Sequence, residues 1–229
     1  MTEFTLLKNV PIFSGLPEDI YTDLTRLLKD KSFKKGDVVC SHDEAGDSLF
    51  IIKKGSVKVT LYNESGKEII LSILKAGDFF GEMSLLDSEP RSANVIATEN
   101  ADLLVLRQRE FLSYIIESPK LTLKMLKVMT KRLRLADEQI GNLALLDVNG
   151  RIARYLIQLA KNDGIAHEEG LLVKKRPTHQ DIAGIIGTSR ETVSRALSGL
   201  QKRGLIDMFG KAILIRHIGL AEVDEKYSF

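Results

Sequence analysis

Apolar and polar residues follow two different rhythms along this chain, and the change of rhythm divides it. From about residue 32 to 107 the pattern is that of strands. Leu49-Phe50-Ile51-Ile52 is a short apolar run that stops at Gly55. Val57, Val59 and Leu61 alternate with Lys58 and Thr60, the two-residue period of a half-buried strand. Asn63-Glu64-Ser65-Gly66-Lys67 reads as a hairpin connector, Ile69 to Leu74 as the next strand and Gly77-Asp78 as the next turn. Val95-Ile96-Ala97 and Leu103-Leu104-Val105-Leu106 supply further strands, with Gly36, Gly46, Gly55, Gly66 and Gly77 at turns. Short strands at this spacing predict a small β-barrel or jelly roll. Ahead of them, residues 16–29 predict a short helix with Pro17 in its first turn and Leu24, Leu27 and Leu28 facing inward.

The helical rhythm takes over at about residue 109, and Pro119 opens a long helix that runs to about 145. Leu126, Leu133 and Ile140 are seven apart, and Met129, Ala136 and Leu143 follow each of them by three. This strict a/d seam predicts a partner helix, and a parallel homodimer is the expected arrangement. Residues 147–163 predict another helix, 163–170 a loop and Leu171-Leu172-Val173 a short strand. Two closely spaced helices follow over His179 to Leu200. Ala183 is small where they would cross, Gly187 stands at the turn, and Ser189 is placed to cap the second helix. At about 100° per residue, Arg190, Glu191, Ser194 and Arg195 share one face of that helix, and Val193, Ala196, Leu197 and Leu200 share the other. Leu205 to Met208 and Ala212 to Ile215 flank a Phe209-Gly210-Lys211 turn, forming a hairpin wing. The fold class is therefore α+β, in three parts: 1–118 a β-roll, 119–146 a dimerisation helix and 147–229 a winged helix-turn-helix.

Charge sharpens this division. Residues 1–118 hold 14 Lys/Arg against 19 Asp/Glu, residues 119–150 hold 6 against 3, and residues 151–229 hold 13 against 9. A basic rear suits a nucleic acid partner. The Arg/Glu face fits a major groove, since Arg pairs with guanine N7 and O6 and Glu accepts from cytosine N4. Thr178, His179, Gln180, Ser189 and Lys174 complete the expected DNA-contacting set, with Thr178 and Lys174 on phosphates. The lone Cys40 excludes an internal disulfide and a thiolate-held iron–sulfur cluster. No metal spacing, P-loop or catalytic constellation occurs, so the chain is not expected to be an enzyme. No apolar run is long enough to span a bilayer, and the N-terminus has no signal-peptide layout, so no membrane partner and a cytoplasmic location are expected.

The densest chemistry lies at Gly81-Glu82-Met83-Ser84-Leu85-Leu86-Asp87-Ser88-Glu89-Pro90-Arg91-Ser92-Ala93. A carboxylate and a guanidinium share one glycine-anchored loop. Arg91 suits the single negative charge of a cyclic phosphate, and Glu82 can accept from a ribose 2′-OH. The string resembles the phosphate-binding cassette of cyclic-nucleotide-binding domains.

Almost the whole chain resembles the CRP/FNR family of bacterial transcription regulators. The likeness rests on that cassette, on Gly141-Asn142-Leu143-Ala144-Leu145-Leu146-Asp147 with Gly150-Arg151-Ile152-Ala153, and on Arg190 to Arg195. It implies that Glu82 holds the ribose, and that Arg91, Ser92 and the Gly81 and Ala93 backbone hold the phosphate. Met83, Ser84, Ser72 and Arg132 then stand close to the ligand. It also implies a palindromic TGTGA-type DNA site, RNA polymerase as a further partner, and cyclic AMP as effector. Haem is not expected, because His42 is the only histidine in the front part. One departure bears on the base. The family pattern for cyclic AMP has Thr-Ser where this chain has Ala136-Asp137. Asp137 can accept from the two adjacent donors of guanine, which keeps cyclic GMP open; Ser92 favours cyclic AMP. A solvated Asp137, or DNA binding without a ligand, are the plainer alternatives.

Overall fold

Leu49-Phe50-Ile51-Ile52 carries apolar side chains on both faces of one strand, and two separate cores form around it. The computed structural model describes residues 3–220. The chain divides into two compact units between Arg134 and Leu135. In the first, α1 (Glu3–Asn9) and α2 (Glu18–Leu27) precede a roll of eight strands. These are β1 (Lys29–Phe33), β2 (Val38–Cys40), β3 (Ser48–Lys54), β4 (Ser56–Tyr62), β5 (Glu68–Lys75), β6 (Phe79–Phe80), β7 (Asn94–Ala97) and β8 (Ala101–Arg107). The short helix α3 (Glu82–Asp87) interrupts them, and α4 (Gln108–Glu117) and the start of α5 (Pro119–Leu145) follow.

The strands pair antiparallel in two four-stranded sheets, ordered β1-β8-β3-β6 and β2-β7-β4-β5, the jelly-roll arrangement. Phe50, Ile52, Phe80 and Leu103 point into the core between the sheets, together with Val57, Val95 and Ala97. Leu49, Ile51, Phe79, Leu104 and Leu106 point the other way, onto the helices. A strand buried on both faces reads as an unbroken apolar run, which is why β3 and β8 do not alternate in the sequence.

Three local readings are corrected by the structure. Leu27 stands 39% exposed, while Leu24 and Tyr21 bury the helix. The alternation in β4 slips, since Thr60 is fully buried and Leu61 is not. Its cause is a register shift between Val59, opposite Ser72, and Thr60, opposite Ile70, a bulge that reverses the inward phase. Gly46 is less a turn than a point of close approach to Arg91, taken up below. The helix α1 lies outside the predicted elements and is tied down by packing of Leu6 and Leu7.

The second unit contains the end of α5, then α6 (Val148–Asp163), α7 (His179–Ile186) and α8 (Arg190–Lys202). Its sheet, ordered β11-β12-β10-β9, is built from β9 (Ile165–His167), β10 (Gly170–Val173), β11 (Ile206–Phe209) and β12 (Ala212–Arg216). Ile152, Leu156, Ile182, Ala183, Val193, Leu197 and Ile213 share its core. Asp147 caps α6 by accepting from the Gly150 N–H at 2.7 Å. Thr178 and Asp181 form a capping box at the start of α7.

Tyr21 is the most specific tie in the front unit. Its buried hydroxyl donates to the Phe13 carbonyl at 2.7 Å and accepts from the Leu16 N–H at 3.1 Å. Tyr21→Phe leaves both backbone groups unpaired, and the expected loss is about 1–3 kcal/mol of stability. Thermal or urea unfolding measures it, and an unchanged midpoint would refute the role given to the hydroxyl.

Candidate functional site

The cassette loop is shaped by a buried cation. Arg91 is 7% exposed, with one terminal nitrogen donating to the Gly81 carbonyl and the other to the Ser48 carbonyl, both at 2.8 Å. The guanidinium also lies 5.7 Å from the Phe50 ring centre. Its own backbone is clamped, since the Arg91 N–H donates to the Glu44 carbonyl at 2.8 Å and the Asp43 N–H donates to the Arg91 carbonyl at 3.0 Å. Two glycines make room. A Cβ on Gly46 would sit 2.7 Å from the guanidinium carbon, and one on Gly81 would sit 2.6 Å from its nitrogen. Gly81 also has φ +87°, a conformation that disfavours any side chain. The signal for Gly46 was in the sequence, but only the fold reveals what it approaches.

Glu82, the next residue, is 2% exposed. Its Oε1 accepts from Arg132 of α5 at 2.5 Å, and Arg132 also donates to the Phe79 carbonyl at 2.6 Å. The Arg132 guanidinium stacks 4.7 Å from the Phe79 ring centre. Oε2 of Glu82 is buried and has no hydrogen-bond partner among the described residues. A buried acid with an idle oxygen is costly unless a donor arrives. Arg91 and Glu82 are thus brought to the same loop, through Gly81. Ser84 and Ala93 are buried beside them, and Ser92 donates to the Met83 sulfur at 3.7 Å. Ser72 is half-buried on β5. Nearby Cys40 is buried, and burial pushes its thiol up against the opposing effect of the Arg91 charge.

Along α5 the predicted seam stays in water. Leu126 is 59% exposed, Leu133 63%, Ile140 64% and Leu143 46%. Ala136 and Asp137 are exposed as well. Met129 differs, being partly packed on the front core with Val128.

In the second unit, Gly187 ends α7 in the left-handed region at φ +75°, and Ser189 accepts from the Thr192 N–H at 3.2 Å to start α8. Arg190, Glu191 and Arg195 are exposed, whereas Val193 and Leu197 are buried, so the predicted helix faces are those observed. Hydrogen bonds from its own N–H and from Ser189 hold the Glu191 carboxyl below its usual value, with Arg190 and Arg195 adding to the effect. His179 and Ser194 face each other across the helix pair, at 2.8 Å. Burial, then Arg176 and Arg190, push the His179 imidazole toward its neutral form. The Thr178 hydroxyl is occupied in the capping box, donating to Asp181 at 2.6 Å, while Gln180 and Lys174 are exposed. Arg176 braces the wing by donating to the Gly210 carbonyl at 3.4 Å. Among the described residues no cluster of metal ligands occurs, and no helix is long and apolar enough to cross a membrane.

Both halves match known families. Residues 30–118 match the cyclic nucleotide-binding domain, and residues 150–220 match the Crp-like helix-turn-helix domain. The chain is 33% identical over 210 residues to a CRP-like cAMP-activated global transcriptional regulator of Mycobacterium tuberculosis, covering 92% of this chain and 94% of that one. It is 41% identical over 174 residues to the cAMP-activated global transcriptional regulator CRP of Salmonella typhimurium, covering 75% of this chain and 82% of that one. Among solved structures, a CooA mutant from Carboxydothermus hydrogenoformans superposes with TM-score 0.79 at 26% identity, covering 90% of each chain. A nucleotide-binding roll followed in order by a Crp-like helix-turn-helix, with identity sustained along nearly its full length, makes this chain a member of the CRP/FNR family of transcription regulators.

Proposed function

We propose that this regulator is a homodimer gated by cyclic AMP, which binds palindromic TGTGA-like DNA and works with RNA polymerase. The observation that carries the ligand half is the idle, buried Oε2 of Glu82 on the same loop as the buried Arg91. A ribose hydroxyl would satisfy the first. The cyclic phosphate would take the guanidinium donors that the Gly81 and Ser48 carbonyls leave free, together with Ser92 and the backbone at Gly81 and Ala93. The cAMP-activated relatives favour adenine as the base.

Dimerisation is supported by the bare seam on α5. Each large aliphatic side chain moved from water to an apolar contact contributes roughly 1.5–3 kcal/mol, so Leu126, Leu133 and Ile140 in water favour a second copy of the same helix. We assign residues 1–118 to sensing, 119–146 to dimerisation and 147–229 to DNA binding. Arg190, Glu191 and Arg195 are the proposed base readers. Thr178, His179, Gln180, Lys174, Ser189 and Ser194 are the proposed accompanying DNA contacts, and His179 meets Ser194 at 2.8 Å. A second reading has one specific support. Ala136 and Asp137 are exposed on α5, and Asp137 accepts but cannot donate when ionised, which suits guanine of cyclic GMP better than the amino group of adenine.

Calorimetric titration with cyclic AMP, cyclic GMP and cyclic di-GMP ranks the ligands, and footprinting with and without the tightest one tests gating. Equal footprints in both conditions would leave a ligand-independent DNA binder. Arg91→Leu removes a charged hydrogen-bond donor worth about 3 kcal/mol, so nucleotide affinity is expected to fall roughly a hundredfold in a protein that still folds. Retained affinity would reject the phosphate assignment. Leu133→Lys is expected to shift the protein from dimer to monomer in light scattering, and a persistent dimer would move the interface elsewhere. Glu191→Ala should flatten base preference within the half-site and leave salt-sensitive non-specific binding intact, as a randomised-site selection would reveal.

A further inference from the structure

Among the described residues Met83 is the most exposed methionine, at 49%, whereas Met125 is 3% exposed and Met129 and Met208 are half-buried. It stands in the first turn of α3, directly after Glu82. Its sulfur accepts from the hydroxyl of Ser92, which is itself exposed, at 3.7 Å. A serine hydroxyl has one proton to give, and an anionic phosphate offers acceptors only. Ser92 can therefore hold a phosphate only by donating that proton. In the reduced protein the rival acceptor is a thioether, which is weak, so a charged phosphate oxygen wins the proton from it. A sulfoxide at Met83 reverses the contest. Its oxygen is a polar acceptor, carried on the same sulfur and within reach of the same hydroxyl.

Hydrogen peroxide supplies the oxidant. A lone pair of the Met83 sulfur attacks one peroxide oxygen, the O–O bond breaks and an S–O bond forms. The departing hydroxide takes the proton of the transferred oxygen and leaves as water. Sulfur loses two electrons and the peroxide gains them. The other sulfur near the cassette is shielded. Cys40 is 7% exposed, and burial pushes its thiol up against the opposing effect of the Arg91 charge, so it stays a thiol and not the reactive thiolate.

We propose that Met83 is a peroxide-sensitive modification site, where oxidation to the sulfoxide captures the Ser92 hydroxyl and weakens cyclic nucleotide binding. This rests on the reading of Ser92 as a phosphate contact given above, and adds a way for an oxidant to lower ligand occupancy.

The test uses full-length wild type, Met83→Leu and Ser92→Ala, each titrated calorimetrically with cyclic AMP before and after hydrogen peroxide. The dose is one at which peptide mass spectrometry finds Met83 converted to the sulfoxide and Cys40 unchanged. Each protein is compared with its own untreated form, so differences in starting affinity cancel. The wild-type Kd is expected to rise about tenfold or more, as for the loss of one hydrogen bond to a charged group. Methionine sulfoxide reductases should bring it back. In Met83→Leu the ratio of treated to untreated Kd is expected to stay near one. It should stay near one in Ser92→Ala too, where Met83 is oxidised but the proton it would capture is gone. Wild-type affinity that survives full conversion of Met83 overturns the proposal, and so does an equal loss in Met83→Leu. An equal loss in Ser92→Ala overturns the capture of the hydroxyl. If the untreated wild type and Ser92→Ala bind cyclic AMP alike, or neither binds it, the phosphate reading of Ser92 is overturned and this proposal falls with it.

Discussion

The burial of one guanidinium constrains more of the front unit than any other contact. Arg91 is out of water, and a buried charge persists only where its donors are matched. Two backbone carbonyls from different parts of the roll, Gly81 after β6 and Ser48 opening β3, match part of it. The carbonyls converge because no Cβ intrudes at residues 46 and 81. The loop before β3 is locked in turn, since Glu44 and Asp43 pair with the arginine's own backbone. The loop conformation, and with it the phosphate contact proposed above, therefore rests on one side chain. Glu82 follows the same logic with the opposite sign, held at one oxygen by Arg132.

Much of this was legible in the sequence, and what was not has identifiable causes. The Arg/Glu face of α8 could be computed from helix geometry because Val193 and Leu197 define the buried stripe. The heptad spacing of Leu126, Leu133 and Ile140 identified a face that its own fold leaves uncovered. The phase of β4 could not be read, because a bulge opposite Val59 and Thr60 is a property of a strand pair and not of one strand. The bond between Glu82 and Arg132 spans 50 residues and carries no local periodicity, so the resemblance places Arg132 near the site but only the fold pairs it with Glu82. The helix α1 was missed because Glu3–Asn9 is too short for its period to stand out, and tertiary packing on Leu6 and Leu7 carries it.

The long helix α5 divides its labour by face. Leu121 and Met125 face the front core, and Lys120 and Lys124 reach the carbonyls of Gly15 and Ser14. Leu126, Leu133 and Ile140 remain exposed. Glu138, further along, belongs to the contacts of α6. A helix of 27 residues can do this because residues three or four apart share a face while those between them point elsewhere.

A strand walled in on both sides, as β3 is, also sets a clock. Its amides are bonded to β8 and β6, and its side chains are sealed above and below. Solvent deuterium can enter there only when the entire roll opens, whereas the Asn63–Lys67 hairpin exchanges by local fraying. The slowest-exchanging amides of Phe50 and Ile51 therefore report the opening free energy of the front unit as a whole.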